Sequence, residues 1–167
     1  MTPKADVEIN NAFHVKKIRE GVLEIGVHVA DVTHFVKSNS LVDREAKKRG
    51  TAVELVNRYV PMLPQRLGGD IVSLKAGEDR FTFSVIFNVE EVSGKMDGDP
   101  WVGKTIVRNG CNLVYENVDA VLGNDDSEVE DYIKEALRAL LVRAPLLVSY
   151  LCGLYFDLPI ARNEEIA

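Results

Sequence analysis

The sequence predicts an α+β domain in which antiparallel hairpins form a mixed sheet and helices pack against it. Three observations carry this expectation. Two pairs of segments, residues 13–18 with 22–29 and residues 80–89 with 101–108, alternate apolar and polar side chains at the period of a strand, and a polar turn joins each pair. Helical patterns occupy other stretches, at residues 40–50 and 129–142. With 167 residues, 46% of them hydrophobic, the chain is long enough to bury one core.

The first hairpin reverses at Arg19-Glu20-Gly21. Its second arm, Val22 through Ala30, is rich in β-branched residues and loses its polar face toward the end, which places it in the middle of a sheet. Ser40 is a helix N-cap, Lys47, Lys48 and Arg49 answer the dipole in the last turn, and Gly50 stops the helix. Residues 51–56 read as a brief extended piece and Pro61-Met62-Leu63-Pro64 as a stiff turn. A weak helix is expected over residues 67–74, where Gly68-Gly69 disfavours it. In the second hairpin Phe81, Phe83, Val85, Phe87 and Val89 share one strand face, read as core. Residues 113–122 and 129–142 carry helical periodicity, and Pro145 ends or kinks the second of these helices.

A formal net charge of -6 opposes a free-standing nucleic-acid module that works by neutralising phosphates with a basic face. Cys111 and Cys152 have no metal-ligand spacing and make no disulfide framework, so a reducing compartment is expected, the cytoplasm or else the nucleus. No apolar leader core is visible, and the uncharged run at residues 144–156 falls short of the roughly 20 residues that a bilayer span requires. Neither a membrane nor DNA is an expected partner.

The chemistry concentrates in Thr2-Pro3-Lys4-Ala5-Asp6-Val7-Glu8-Ile9-Asn10-Asn11-Ala12, at the entry to the first strand. A magnesium ion that positions a phosphodiester is held by several anionic oxygens. Here Asp6 and Glu8 are the only carboxylates, while Asn10 and Asn11 offer dipoles in place of charges.

Further strings follow in order: Glu24-Ile25-Gly26-Val27-His28-Val29-Ala30-Asp31-Val32-Thr33-His34-Phe35-Val36, then Asp43, Ala46, Arg49-Gly50-Thr51, Pro61-Met62-Leu63-Pro64, Ser73-Leu74, Asp79-Arg80, and Trp101-Val102-Gly103-Lys104-Thr105. In that order and at those separations the chain closely resembles the RNB catalytic domain of the ribonuclease II/R family of 3'-to-5' exoribonucleases. The likeness runs over roughly residues 2–125 and is nearest to eukaryotic members, among them fungal proteins that bind RNA without degrading it. It implies a partial RNB domain at residues 1–143, a divergent tail at residues 144–167, and single-stranded RNA as partner.

The family's metal motif reads Asp-Pro, four residues, Asp, an aliphatic residue, then Asp-Asp-Ala. Its acids fall here on Thr2, Glu8, Asn10 and Asn11. The family cofactor is magnesium; with one charge left, these positions are a weak remnant at which magnesium is not expected to bind. An aromatic residue that stacks on a base near the RNA 3' end is replaced by Glu54, which forfeits roughly 1 to 3 kcal/mol per base. The arginine-rich segment of the family's C-terminal half is not found, and a truncated product is the expectation.

Each of these residues also has a plainer reading. Glu8, Asn10 and Asn11 suit a polar strand entry that satisfies local hydrogen bonds. His28, Asp31 and His34 have a ligand-like spacing, but suit a hydrogen-bonded scaffold better. Lys104 and Arg108 either line a groove or face solvent, and Trp101 either stacks on a base or packs. Three functions stay open: an RNA-binding protein with an impaired catalytic centre, an active magnesium-dependent exoribonuclease, and a fragment without autonomous function.

Overall fold

The first hairpin consists of β1 (Asn11–Arg19) and β2 (Val22–Ala30), paired antiparallel from Asn11 opposite Val29 to Arg19 opposite Val22. Gly21 makes the reversal with φ of 75°, a conformation that costs glycine little. A single turn of 3-10 helix (Val32–His34) leads to α1 (Leu41–Arg49), a small hairpin of β3 (Val53–Leu55) and β4 (Arg58–Val60), and a π-helical turn (Arg66–Val72). The long strands β5 (Asp79–Glu90) and β6 (Trp101–Leu113) follow, and β7 (Leu158–Arg162) comes last. The computed structural model describes residues 8–56, 58–113, 134 and 158–162. The helical patterns expected after residue 113 therefore lie outside the described residues, apart from Lys134, which is helical.

β2 is central, flanked by β1 and β5, as its loss of polar alternation predicts. β6 continues the sheet antiparallel to β5. β7 then pairs antiparallel with β6 and parallel with β1, and the order β1-β2-β5-β6-β7 closes into a barrel. α1 follows its sequence signals closely: the Ser40 hydroxyl accepts from the Asp43 N–H at 3.2 Å, and Gly50, at φ of 74°, donates to the Ala46 carbonyl. The basic last turn is tied down locally. Lys47 reaches Asp43 at 2.8 Å and Arg49 reaches Glu45 at 3.1 Å, while the Arg49 guanidinium also donates to the Pro61 carbonyl.

Two expectations need correcting. Phe81, Phe83, Val85, Phe87 and Val89 do share a face, but only Phe87 and Val89 are fully buried there, beside Phe13 and Ile25. Phe81 and Phe83 remain 39% and 47% exposed. The other face is the covered one at that end of β5, where Thr82 and Ser84 are inaccessible. Gly68-Gly69, read as weakening a helix, is buried inside the π-helical turn, where a Cβ on Gly68 would come 2.5 Å from Glu8 Oε1.

The face holding Thr82 and Ser84 carries a buried hydrogen-bond chain across four strands. His14 Nε2 lies 3.2 Å from Glu24 Oε1, His14 Nδ1 lies 2.7 Å from His28 Nε2, and His28 Nδ1 lies 2.6 Å from Ser84 Oγ. Ser84 and Thr82 both bond the Thr105 hydroxyl. The carboxylate at one end sets the direction of the chain, because Glu24 only accepts. His14 therefore carries its proton on Nε2, His28 donates from Nε2 to His14 Nδ1, and the Ser84 hydroxyl donates to His28 Nδ1. Gly26 makes room for the paired rings, since a Cβ there would overlap His14 and lie 3.0 Å from His28 Nε2. Burial lowers the affinity of both rings for a second proton, taking His28 to about 3.

Candidate functional site

The residues expected to carry chemistry enter the barrel along the backbone just before β1. Ile9 is pinned on both sides: its N–H donates to Ser73 Oγ at 3.0 Å, and its carbonyl accepts from the Leu74 N–H at 2.8 Å. The Asn10 carbonyl accepts from Ala30, and Asn11 begins β1 opposite Val29. A buried cluster of Ile9, Ala12, Ala30, Val72, Leu74 and Val107 holds this entry in place. Glu8 is half-buried, Asn10 exposed and Asn11 intermediate, while Thr2 and Asp6 lie outside the described residues.

Glu8 folds toward the π-helical turn. Its Oε1 is buried beside Gly68 and has no hydrogen-bond partner among the described residues, and burial raises its carboxyl above the ordinary range. An orphaned acidic oxygen is one requirement of a cation site, but the rest of the donor set does not follow. Asn10 and Asn11 add no charge, and no group of three or more His, Cys, Asp or Glu side chains converges among the described residues. One carboxylate and two amides do not fit a magnesium ion that demands anionic oxygen ligands.

The β3–β4 hairpin carries Glu54, the position of the replaced aromatic. Val53 pairs with Val60, Glu54 with Tyr59 and Leu55 with Arg58, so Glu54 and Tyr59 lie directly opposite on one face. Tyr59 is 50% exposed. Its phenol is raised above the ordinary value by partial burial first, then by the negative fields of Glu8 and Glu54. Glu8 and Glu54, far apart in sequence, thus both act on Tyr59, Glu54 from directly across the strand pair. Sequence reasoning missed this tyrosine, since it gave the extended piece at residues 51–56 no partner strand. The pairing of Leu55 with Arg58 fixes the register, and three-residue strands leave too short an alternation to signal it.

The other candidates do not assemble. His28 bonds His14 and Ser84, Asp31 pairs with Lys104 at 2.7 Å, and the His34 ring stacks on Phe81 at 3.9 Å, so the three go to separate partners. Asp31 is held below the ordinary carboxylate range by Lys104 and Thr33, which outweigh its desolvation. Arg108 grips Asp79 with both arms, at 2.7 and 2.9 Å. Trp101 is exposed and lies over Gly103. A cleft of about 370 Å3 lined by Phe35, Asp70, Ile71, Asp79, Arg80 and Phe81 includes none of the motif positions.

The family model of the RNB domain matches residues 2–148. The chain is 38% identical over 120 residues to DIS3-like exonuclease 2 of Schizosaccharomyces pombe, an alignment that takes in 72% of this chain and 13% of that protein. Among solved structures, Mycoplasma genitalium RNase R in complex with double-stranded RNA superposes with a TM-score of 0.75 at 24% identity, covering 89% of this chain and 26% of that one. Yeast Ssd1, described as a pseudonuclease, superposes with a TM-score of 0.60 at 30% identity, covering 69% of this chain and 15% of that one. The chain therefore spans a small part of each relative's length.

Proposed function

From the premise that this chain belongs to the RNB-domain family of ribonuclease II/R proteins, we propose that it binds single-stranded RNA and does not hydrolyse it. One observation carries the reading: of the four positions that match the family's acids, Glu8 alone is a carboxylate, and it turns toward Gly68. Metal-assisted phosphodiester hydrolysis needs anionic ligands to hold the cations that generate the nucleophile and neutralise the leaving oxygen. Two amides and a hydroxyl supply dipoles for neither task. The likeness to yeast Ssd1 supports the reading, because a fold of this kind persists in a protein described as a pseudonuclease.

The test is incubation of the purified chain with a 3'-labelled single-stranded RNA and magnesium or manganese. Retention of the RNA that weakens with salt, with no shortening, is the expected result. Stepwise shortening from the 3' end would overturn the proposal in favour of an active exoribonuclease.

A further inference from the structure

We propose that Tyr59 is the platform on which this protein stacks an unpaired nucleobase, standing in, across the β3–β4 hairpin, for the aromatic that Glu54 replaces. The inference rests on the RNA-binding reading above. Its geometry comes from strand register. Glu54 and Tyr59 are Cα partners in an antiparallel pair, which puts their side chains on the same face with Cβ atoms about 4.5 to 5.5 Å apart. Residues 53, 55, 58 and 60 point to the opposite face. Among the hairpin's paired residues, then, position 59 alone lets a ring leave position 54 and still look out over the same surface.

Exposure and rigidity suit the task. Half of Tyr59 is open to solvent, so ring surface is available to a ligand. The strand that bears it is anchored at its end, where Arg49 of α1 donates to the Pro61 carbonyl at 2.9 Å. Its neighbours fit as well: Glu54 lies directly across the strand pair on the same face, and the fields of Glu8 and Glu54 both reach the phenol. The same two carboxylates select which part of a nucleotide approaches. They repel a phosphate, whereas a base brings a π-face for the ring and N–H groups for acidic oxygens.

The experiment measures affinity for a fluorescein-labelled single strand of about 12 nucleotides at fixed salt, by anisotropy. Tyr59→Ala and Tyr59→Leu should each weaken binding about 5- to 150-fold, while Tyr59→Phe stays near the wild type. The slope of affinity against salt should not change, because the ring touches a base and not a phosphate. The double variant E54Y/Y59A should recover most of the loss. Wild-type binding with equal affinity in the Leu variant, which keeps apolar bulk, overturns this inference and leaves the function intact; a changed salt slope does the same. Absence of any wild-type binding overturns both.

Discussion

Acidification from about pH 7.5 to about pH 5 should destabilise the fold by about 2 kcal/mol through His28 alone. The folded imidazole takes its proton only near about 3, whereas an unfolded one does so at its ordinary value of 6.5. Between those values the unfolded chain binds a proton that the folded chain refuses. Stability is therefore complete above pH 6.5 and declines as pH falls toward 3, by about 1.4 kcal/mol per unit once well below 6.5. His14, also lowered by burial, acts in the same sense. Glu8, raised by burial, acts in the opposite sense just above the ordinary carboxylate range, and Asp31, Asp43, Asp70 and Asp79, all lowered, lose their contributions only below it. Urea unfolding followed by circular dichroism at several pH values should show the midpoint falling with acid at constant slope. A midpoint that stays level or rises between pH 7.5 and pH 5, or a His28 ring whose NMR titration centres near 6.5, would refute the reasoning.

Gly26→Ala drives a methyl group into the His14 ring and breaks its bond to His28, with an expected loss of about 2 to 4 kcal/mol read from the same unfolding curves. Ser84→Ala removes the donor to His28 Nδ1 and should cost about 1 to 3 kcal/mol; an unchanged midpoint would contradict the assigned tautomers. Ser40→Ala should cost about 0.5 to 2 kcal/mol by uncapping α1, measured as a lower melting temperature. Gly68→Ala meets only the flexible end of Glu8, so stability should move by no more than about 1 kcal/mol while the carboxylate is displaced toward water. Carboxyl carbon NMR should then show Glu8 titrating nearer its ordinary value.

Local chemistry made much of the fold legible. Alternation at residues 13–18, 22–29, 80–89 and 101–108 marks the four long strands, and Ser40 with Gly50 bounds α1, because each signal acts on its own neighbours. What stayed hidden depends on partners distant in sequence. Periodicity grouped Phe81 with Phe87, yet could not show that hydroxyl pairing with Thr105 would bury the opposite face at Thr82 and Ser84. Gly68 looked like a helix breaker until Glu8, remote in the chain, was seen to fill the space beside it. In the candidate site the motif positions were readable one by one. The joint action of Glu8 and Glu54 on Tyr59 required a strand pairing that no alternating pattern announces in three-residue strands.

Barrel closure has a bearing on solubility. Were β7 missing, β1 and β6 would each turn a row of unpaired N–H and C=O groups outward, and such edges template pairing with other chains. β7 caps both at once, parallel to one and antiparallel to the other, although few residues make the bridge. Its pairings join positions near opposite ends of the sequence, as Phe13 and Ile160 do, so their formation closes a long loop and is entropically slow. Until that happens a nascent chain exposes two sticky margins, and the interval between synthesis of β6 and docking of β7 is when this protein is most prone to self-association.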